Sequence, residues 1–440
     1  MMSRTALLVA IGLALPGCDT LDRAFGAPLK TPLPGERRSM VRADERVQAD
    51  PRLAGVEVSI PEARALDAWP QPGGTPQRAL NNIAVAGIGV AWTVGIGTGE
   101  SRDGMITSGP IVADDRVYTI DSRSMLTVVD AGSGARLWQL NLAPEGSRSS
   151  AGGGGIAVVG GTIYAATGQA QVVALEAERG REIWRVGVSA PLRSGPTVVG
   201  NRVFAISVDN QLHAFDTATG RRLWSQAGIA ENAGLFGASS PAAEANTVVA
   251  AFSSGELFAL RAESGSFVWT DSLAGSQRSD ALSLLSDVRG LPVIDRGTLF
   301  AIGHGGRMAA IDLRSGARIW EQTIGSVNTP WLAGDHLFVT TLDAEIAAVR
   351  RRDGRVQWVT PLEQFTDPQR RRGRIVWTGP ALVGGRLLVF NSESQALTLS
   401  PANGQIQERL RLPGPVTLPP AIARGTIYVV TDDARLVALR

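Results

Sequence analysis

Val128-Val129-Asp130-Ala131-Gly132-Ser133-Gly134-Ala135-Arg136-Leu137-Trp138 decides the fold, because the chain repeats it. It returns as Ala214-Phe215-Asp216-Thr217-Ala218-Thr219-Gly220-Arg221-Arg222-Leu223-Trp224. It returns again as Ala310-Ile311-Asp312-Leu313-Arg314-Ser315-Gly316-Ala317-Arg318-Ile319-Trp320. Weaker copies end at Trp184, Trp269 and Trp358. Trp92 precedes the first full copy by 46 residues, and Glu408 takes the Trp place in a degenerate one. A repeat at this spacing marks an array of identical supersecondary units.

Each unit has a physical reading. A strand with alternating apolar positions, such as Gln211–Phe215, runs into an Asp-x-x-x-Gly turn. There the carboxylate accepts backbone N–H groups and the glycine supplies a positive φ. A second short strand carries the Trp, whose ring is large enough to pack between neighbouring sheets. Upstream lies another hairpin, with Gly200-Asn201 at its tip. Four short strands in about 44 residues, without a helical period, predict one blade of a β-propeller. The third strand appears eight times, ending at Asp130, Glu176, Asp216, Arg261, Asp312, Arg350, Ser400 and Arg440. The chain stops at the eighth copy without an outer strand. Gly89–Val94 is expected to supply it and close an all-β, eight-bladed ring, leaving no unpaired edge there. Because every blade shares them, Trp92, Trp138, Trp184, Trp224, Trp269, Trp320 and Trp358 read as structural. The sialidase-type Asp box is excluded, since its aromatic follows the Asp by about five residues and Trp138 follows Asp130 by eight. The WD40 signature is excluded because no Trp-Asp dipeptide occurs.

Composition narrows the function. The 440 residues carry 43 Lys+Arg against 41 Asp+Glu, a balance that argues against a nucleic-acid-binding face. Cys18 is the single cysteine, so a disulfide framework and a cysteine-rich metal site are excluded. The three histidines, His213, His304 and His336, stand far apart in sequence. Ahead of Cys18, Arg4 provides a short basic n-region and the ten apolar residues Ala6–Leu15 form a signal h-region, too short to span a bilayer as a helix. The run ends Leu15-Pro16-Gly17-Cys18, similar to a bacterial lipobox, which predicts cleavage before Cys18 and its lipidation. The chain therefore divides into a signal peptide (1–18), a largely irregular, Pro-rich tether (19–80) and a propeller (81–440).

The unit Ala-x-Asp-x-x-x-Gly-x-x-x-Trp resembles the pyrroloquinoline-quinone (PQQ) type repeat. Two classes use it: quinoprotein dehydrogenases and the BamB family of lipoproteins, which serve outer-membrane β-barrel assembly. The dehydrogenases typically use a vicinal disulfide and longer insertions, and this chain has neither feature. A lipobox followed by a bare eight-bladed ring resembles the BamB family. That resemblance implies a non-enzymatic scaffold without a cofactor, held at the periplasmic face of the outer membrane. Its partners would be the periplasmic domain of BamA, other Bam components and nascent outer-membrane proteins. Asp19 resembles an inner-membrane retention signal of enteric lipoproteins and leaves the choice of membrane open.

Two segments match those through which the family binds BamA. Leu284-Leu285-Ser286-Asp287-Val288-Arg289 resembles its Leu-Ser-Asp-Val-Asp; Asp287 matches, and Arg289 reverses the second charge. Leu235-Phe236-Gly237-Ala238-Ser239-Ser240-Pro241 resembles its Leu-Arg-Gly-x-Ser-x-Pro; Leu235 matches, and Phe236 replaces the Arg. Both segments flank the fourth blade and are expected to form one docking patch.

Other motifs read as structure. Gly152–Gly155 lacks the helix and the Lys-Ser/Thr of a phosphate loop and reads as an inter-blade connection. Gly303-His304-Gly305-Gly306, Asp114-Asp115 and Asp432-Asp433 read as hairpin turns. No Gly-x-Ser-x-Gly elbow occurs. The basic runs Arg350–Arg352 and Arg370–Arg372 with Arg374 read as solvated loops or as contacts for an acidic surface. Two alternatives remain: a PQQ-dependent dehydrogenase, and a glycan-binding module using the central funnel.

Overall fold

Each repeat folds as one blade. The computed structural model describes residues 46–101, 104–144, 153–230, 239–274 and 287–440. Among them, eight antiparallel four-stranded sheets follow one another in chain order as a β-propeller. Blade 1 runs from innermost to outermost as Ile111–Ala113, Arg116–Ile120, Met125–Asp130 and Arg136–Asn141. The innermost strands of blades 2 to 8 are Gly154–Val159, Thr197–Val199, Ala242–Glu244, Val293–Asp295, Trp331–Ala333, Trp377–Val383 and Ala421–Ala423. Blade 8 takes its outermost strand, Val90–Gly95, from the other end of the ring, with Trp92 opposite Ala438 and Val94 opposite Leu436. The middle strands are buried on both faces, as in Val203-Phe204-Ala205-Ile206, while the outermost strands alternate towards solvent.

The repeat motif makes the joints between blades. In blades 1, 3 and 5, Asp130, Asp216 and Asp312 accept backbone N–H groups from their own turns, as in Ser133 N–H to Asp130 Oδ1 at 2.8 Å. The turn glycine has φ near +70° and lies flat beneath the Trp of the preceding blade. A Cβ on Gly220 would stand 2.6 Å from the Trp184 ring; on Gly316, 2.6 Å from Trp269; on Gly354, 2.7 Å from Trp320. Five of the indoles also donate Nε1–H to a carbonyl of the next blade's turn: Trp184 to Thr217, Trp224 to Ala262, Trp269 to Leu313, Trp320 to Arg351 and Trp358 to Pro401. Trp92 and Trp138 do not. The Ala131 carbonyl is taken by the Tyr428 hydroxyl and Arg440, and the Ala177 carbonyl by Arg116. The turn is thus fixed by its carboxylate and the ring by its Trp–Gly contacts.

Residues 19–80 were expected to be a tether, and their described part departs from that. It has little regular structure beyond a short 3-10 turn at Pro51–Leu53, but the compact unit begins at Val47. Asp50 N–H donates to the Val356 carbonyl, Val58 joins the core of blades 6 and 7, and Trp69 is buried. The following stretch winds once round the inside of the ring. Trp69 exchanges both backbone hydrogen bonds with Val112 of blade 1, at 2.7 and 2.9 Å. Val158 N–H donates to Pro70, Ala243 N–H to Pro76 and Ile294 N–H to Gln77. Val198 N–H finds the Gln71 side-chain oxygen at 2.9 Å. Asn81, Ile83 and Ala86 then donate to Leu332, Leu382 and Gly425 of blades 6, 7 and 8. The innermost strand of a propeller blade is a sheet edge with unpaired main-chain groups, which cost free energy if buried and invite foreign pairing if open. One strap, residues 66–86, pairs such groups in blades 1 to 7 and bonds the hairpin turn at Arg424 and Gly425 in blade 8.

Two smaller readings change. Gly154 and Gly155 are the start of blade 2's innermost strand rather than loop. The connection between blades 6 and 7 carries its own hairpin, Phe365–Asp367 with Arg372–Arg374, so the second basic run is the tip and return of a protruding β-ribbon.

Candidate functional site

Inside the ring, above the strap, lies a cavity of about 160 Å³. The strap forms its floor through Trp69, Pro72, Gly73, Arg78 and Leu80, and the residues that lead into the innermost strands form its walls. Those walls are apolar for a reason written in every blade but one. Pro110, Pro196, Pro241, Pro292, Pro330 and Pro420 stand immediately before the innermost strands of their blades and Pro380 stands within that of blade 7, while blade 2 has Ile156 inside its strand; Pro110, Pro330, Pro380 and Pro420 line the cavity. Proline has no N–H to leave unpaired on a strand that faces the axis. Trp331 and Trp377 add indole surface. Their Nε1–H groups are spent on the Asn81 and Glu363 carbonyls, and Trp331 stacks on Trp69 at 6.5 Å.

Two arginines give the funnel its polar character. Arg78 is wholly buried and donates to the carbonyls of Pro72 (3.2 Å), Pro292 (3.2 Å) and Pro241 (2.6 Å) and to Thr197 Oγ1 (3.2 Å). Burial lowers its pKa to about 9. It therefore clamps the strap to blade 3 through a hydroxyl and to blades 4 and 5 through carbonyl oxygens. Arg289 lines the wall from the connection between blades 4 and 5, and burial also lowers its pKa, opposed by Asp287 and then Glu100. Glu100 comes from the connection between blades 8 and 1, on the opposite side of the ring, and its N–H donates to the Asp432 carbonyl at 2.7 Å. Burial, then the Asp432 charge, push its carboxyl up to about 7, against the pull of Arg289. Burial also raises the carboxyl of Asp432, which accepts from Thr417 Oγ1.

The expected docking residues divide. Leu235 and Phe236 lie outside the described residues, as do Cys18 and Asp19. Asp287 is only 4% exposed, with its carbonyl bonded to His304 N–H, so it is not presented to solvent; Arg289 faces the funnel rather than an outer surface. The two segments do meet at their inner ends. Ser239 Oγ is 3.4 Å from the Gly290 carbonyl, Ser194 Oγ bonds the Ser239 carbonyl, and Ser240 Oγ bonds the Gly195 carbonyl. Three successive connections are sewn together beside the funnel. Sequence reasoning missed Arg78 and the ring of prolines. The proline recurrence was visible as a fixed offset within the repeat, whereas Arg78 had no repeat to belong to.

A family model described as "Outer membrane protein assembly factor BamB" matches residues 122–360 and 366–440. The chain belongs to the BamB family. The BamB of Salmonella typhimurium is 31% identical over 353 residues, covering 79% of this chain and 87% of the relative. The crystal structure of BamB from Moraxella catarrhalis superposes with a TM-score of 0.67 at 20% identity, over 80% of this chain and 99% of that one. A europium-containing methanol dehydrogenase superposes almost as well, with a TM-score of 0.65 at 13% identity, over 82% of this chain and 89% of that one. The fold is therefore common to BamB and to enzymes, and the sequence match separates them. The strap lies outside the residues matched by the family model.

Proposed function

We propose that this chain is a non-enzymatic assembly factor for outer-membrane proteins, a scaffold that docks on the periplasmic domain of BamA. The match to the BamB family across most of the ring carries this reading. The docking patch is assigned to the connections near 233–241 and 280–292, whose inner ends touch at Ser239 and Gly290. Leu235 and Phe236 supply its contact side chains. Asp287, being buried, acts from behind by holding Arg289 through its charge. A lipid on Cys18 holds the ring at the periplasmic face of the outer membrane, so the mechanism is positional.

The dehydrogenase alternative requires PQQ with a calcium ion, and the described residues do not fit the calcium. Among the described residues no group of three or more His, Cys, Asp or Glu side chains is placed to share a metal ion. The test is capture of BamA by the full-length protein carrying Leu235→Ala and Phe236→Ala. Weakened capture with an unchanged melting curve supports the patch, and unchanged capture removes it.

A further inference from the structure

We propose that the funnel receives one apolar side chain of an extended polypeptide strand, whose carbonyl oxygens take hydrogen bonds from the Arg289 guanidinium. The size of the cavity sets the first half of this statement. A dry cavity of ~150 Å³ accommodates a single benzene ring, and the walls here are Trp331, Trp377, Leu291, Val327 and the proline rings. Val376, 45% exposed, continues the apolar surface outward from that lining.

Charge balance sets the second half. Arg289 already has Asp287 and Glu100 acting on it, so a ligand carboxylate would be a third anion around one cation. A neutral acceptor suits it better, and it makes no hydrogen bond to another described residue. Arg78, a few residues into the same axis, shows which acceptors a guanidinium takes here: the carbonyls of Pro72, Pro241 and Pro292. The prolines complete the argument. With their N–H groups removed, Pro110, Pro330, Pro380 and Pro420 offer the funnel no main-chain donor, which turns an incoming strand towards side-chain donors. Arg289, with five N–H groups in a fixed fork, is the charged donor of the wall, among hydroxyls such as Ser108, Thr329 and Thr378.

The proposal deepens the assembly role, since it names what the ring would hold while docked, and rests on that reading for its biological source. The strap closes the funnel from one side, so the strand enters and leaves from the side of the inter-blade connections and does not thread the ring.

The test uses fluorescein-labelled heptapeptides, blocked at both ends, with a central Phe or a central Gly in an otherwise identical Thr/Val sequence. Binding to the mature protein is read by anisotropy. The Phe peptide is expected to bind at least tenfold tighter. Arg289→Met, which keeps the stem and removes the donors, is expected to weaken it about tenfold, the scale of one hydrogen bond to a charged group. Val327→Trp, which fills the cavity, is expected to abolish the Phe–Gly difference, and it serves if Arg289→Met lowers the melting temperature. Equal binding of the two peptides overturns the proposal. So does binding of the neutral dye N-phenyl-1-naphthylamine in the funnel without displacement by the Phe peptide. BamA capture by the wild-type protein and by Val327→Trp keeps the two failures apart: intact capture with no peptide selectivity in the wild type sinks this inference and leaves the assembly role standing.

Discussion

Replacing Arg78 with Ala is expected to release the strap while leaving the ring folded. The guanidinium makes four hydrogen bonds in the axis, three of them to carbonyls. At about 1.5–3 kcal/mol for each bond to a charged group, these supply roughly 6–12 kcal/mol. Burying the charge offsets part of that. A pKa lowered from 12.5 to about 9 corresponds to about 5 kcal/mol at 1.36 kcal/mol per unit. The difference is on the order of 3 kcal/mol, and it acts on strap attachment because the ring's own ladders do not involve Arg78. An equilibrium shift of that size raises the detached population about a hundredfold. Chymotrypsin under conditions where opening is faster than cleavage reads that population directly. Cuts after Trp69 and Leu80, identified by mass spectrometry, should appear about a hundred times faster in Arg78→Ala. The fragment from about 88 to 440 should persist. Arg78→Lys should fall between the two, since an ammonium cannot serve all four acceptors in the guanidinium's fork. Cleavage at the wild-type rate, or loss of the whole ring, would refute the assignment of Arg78 as the clamp.

Other outcomes follow from the same geometry. Gly220→Ala, which places a Cβ 2.6 Å from the Trp184 ring at a φ of +70°, should lower stability by roughly 1–3 kcal/mol, read from denaturant midpoints. Glu100 has a folded pKa raised to about 7 from 4.5, so the fold binds its proton more tightly than the unfolded chain does. Its contribution is therefore lost as pH rises from about 4.5 to 7. Glu100 is only half buried, and after allowance for solvent screening the loss is about 1–2 kcal/mol. Glu100→Gln should raise the melting temperature at pH 8 and change it little at pH 4.5; a pH-independent effect would contradict the cause given. His213 is held neutral by burial, with a pKa of about 4 against 6.5. Its share of stability should be full above pH 6.5 and drain away as pH falls towards 4, a dependence that His213→Gln should flatten. Incubation with PQQ and calcium should yield no dye reduction with alcohols or sugars, and turnover would revive the enzyme reading.

The ring was legible because its signal is repeated and chemical. Asp130, Gly134 and Trp138 each do a job that few other residue types can do, and the same job recurs around the circle. The closing strand was legible for the complementary reason: blade 8 lacked an outer strand, and Val90–Gly95 had no blade. The strap was not legible. Its bonds to Val112, Val158, Ala243, Ile294, Leu332 and Leu382 run through main-chain groups that every residue carries, so residues 66–86 show neither period nor composition. The funnel was hidden differently. Its lining is drawn from short stretches scattered along the chain, and only the closed ring brings Arg289 from one side and Glu100 from the other. The docking segments were found by resemblance, yet a resemblance of letters does not report exposure. Asp287 matched its motif and is buried.

The central claim is that this propeller is a working part of the outer-membrane assembly machinery. It is tested most directly by purifying the tagged native protein from gently solubilised membranes and identifying its companions by mass spectrometry. The account predicts stoichiometric BamA, reduced in the Leu235→Ala, Phe236→Ala variant. A preparation without BamA, unchanged in milder detergent and after crosslinking, would contradict it.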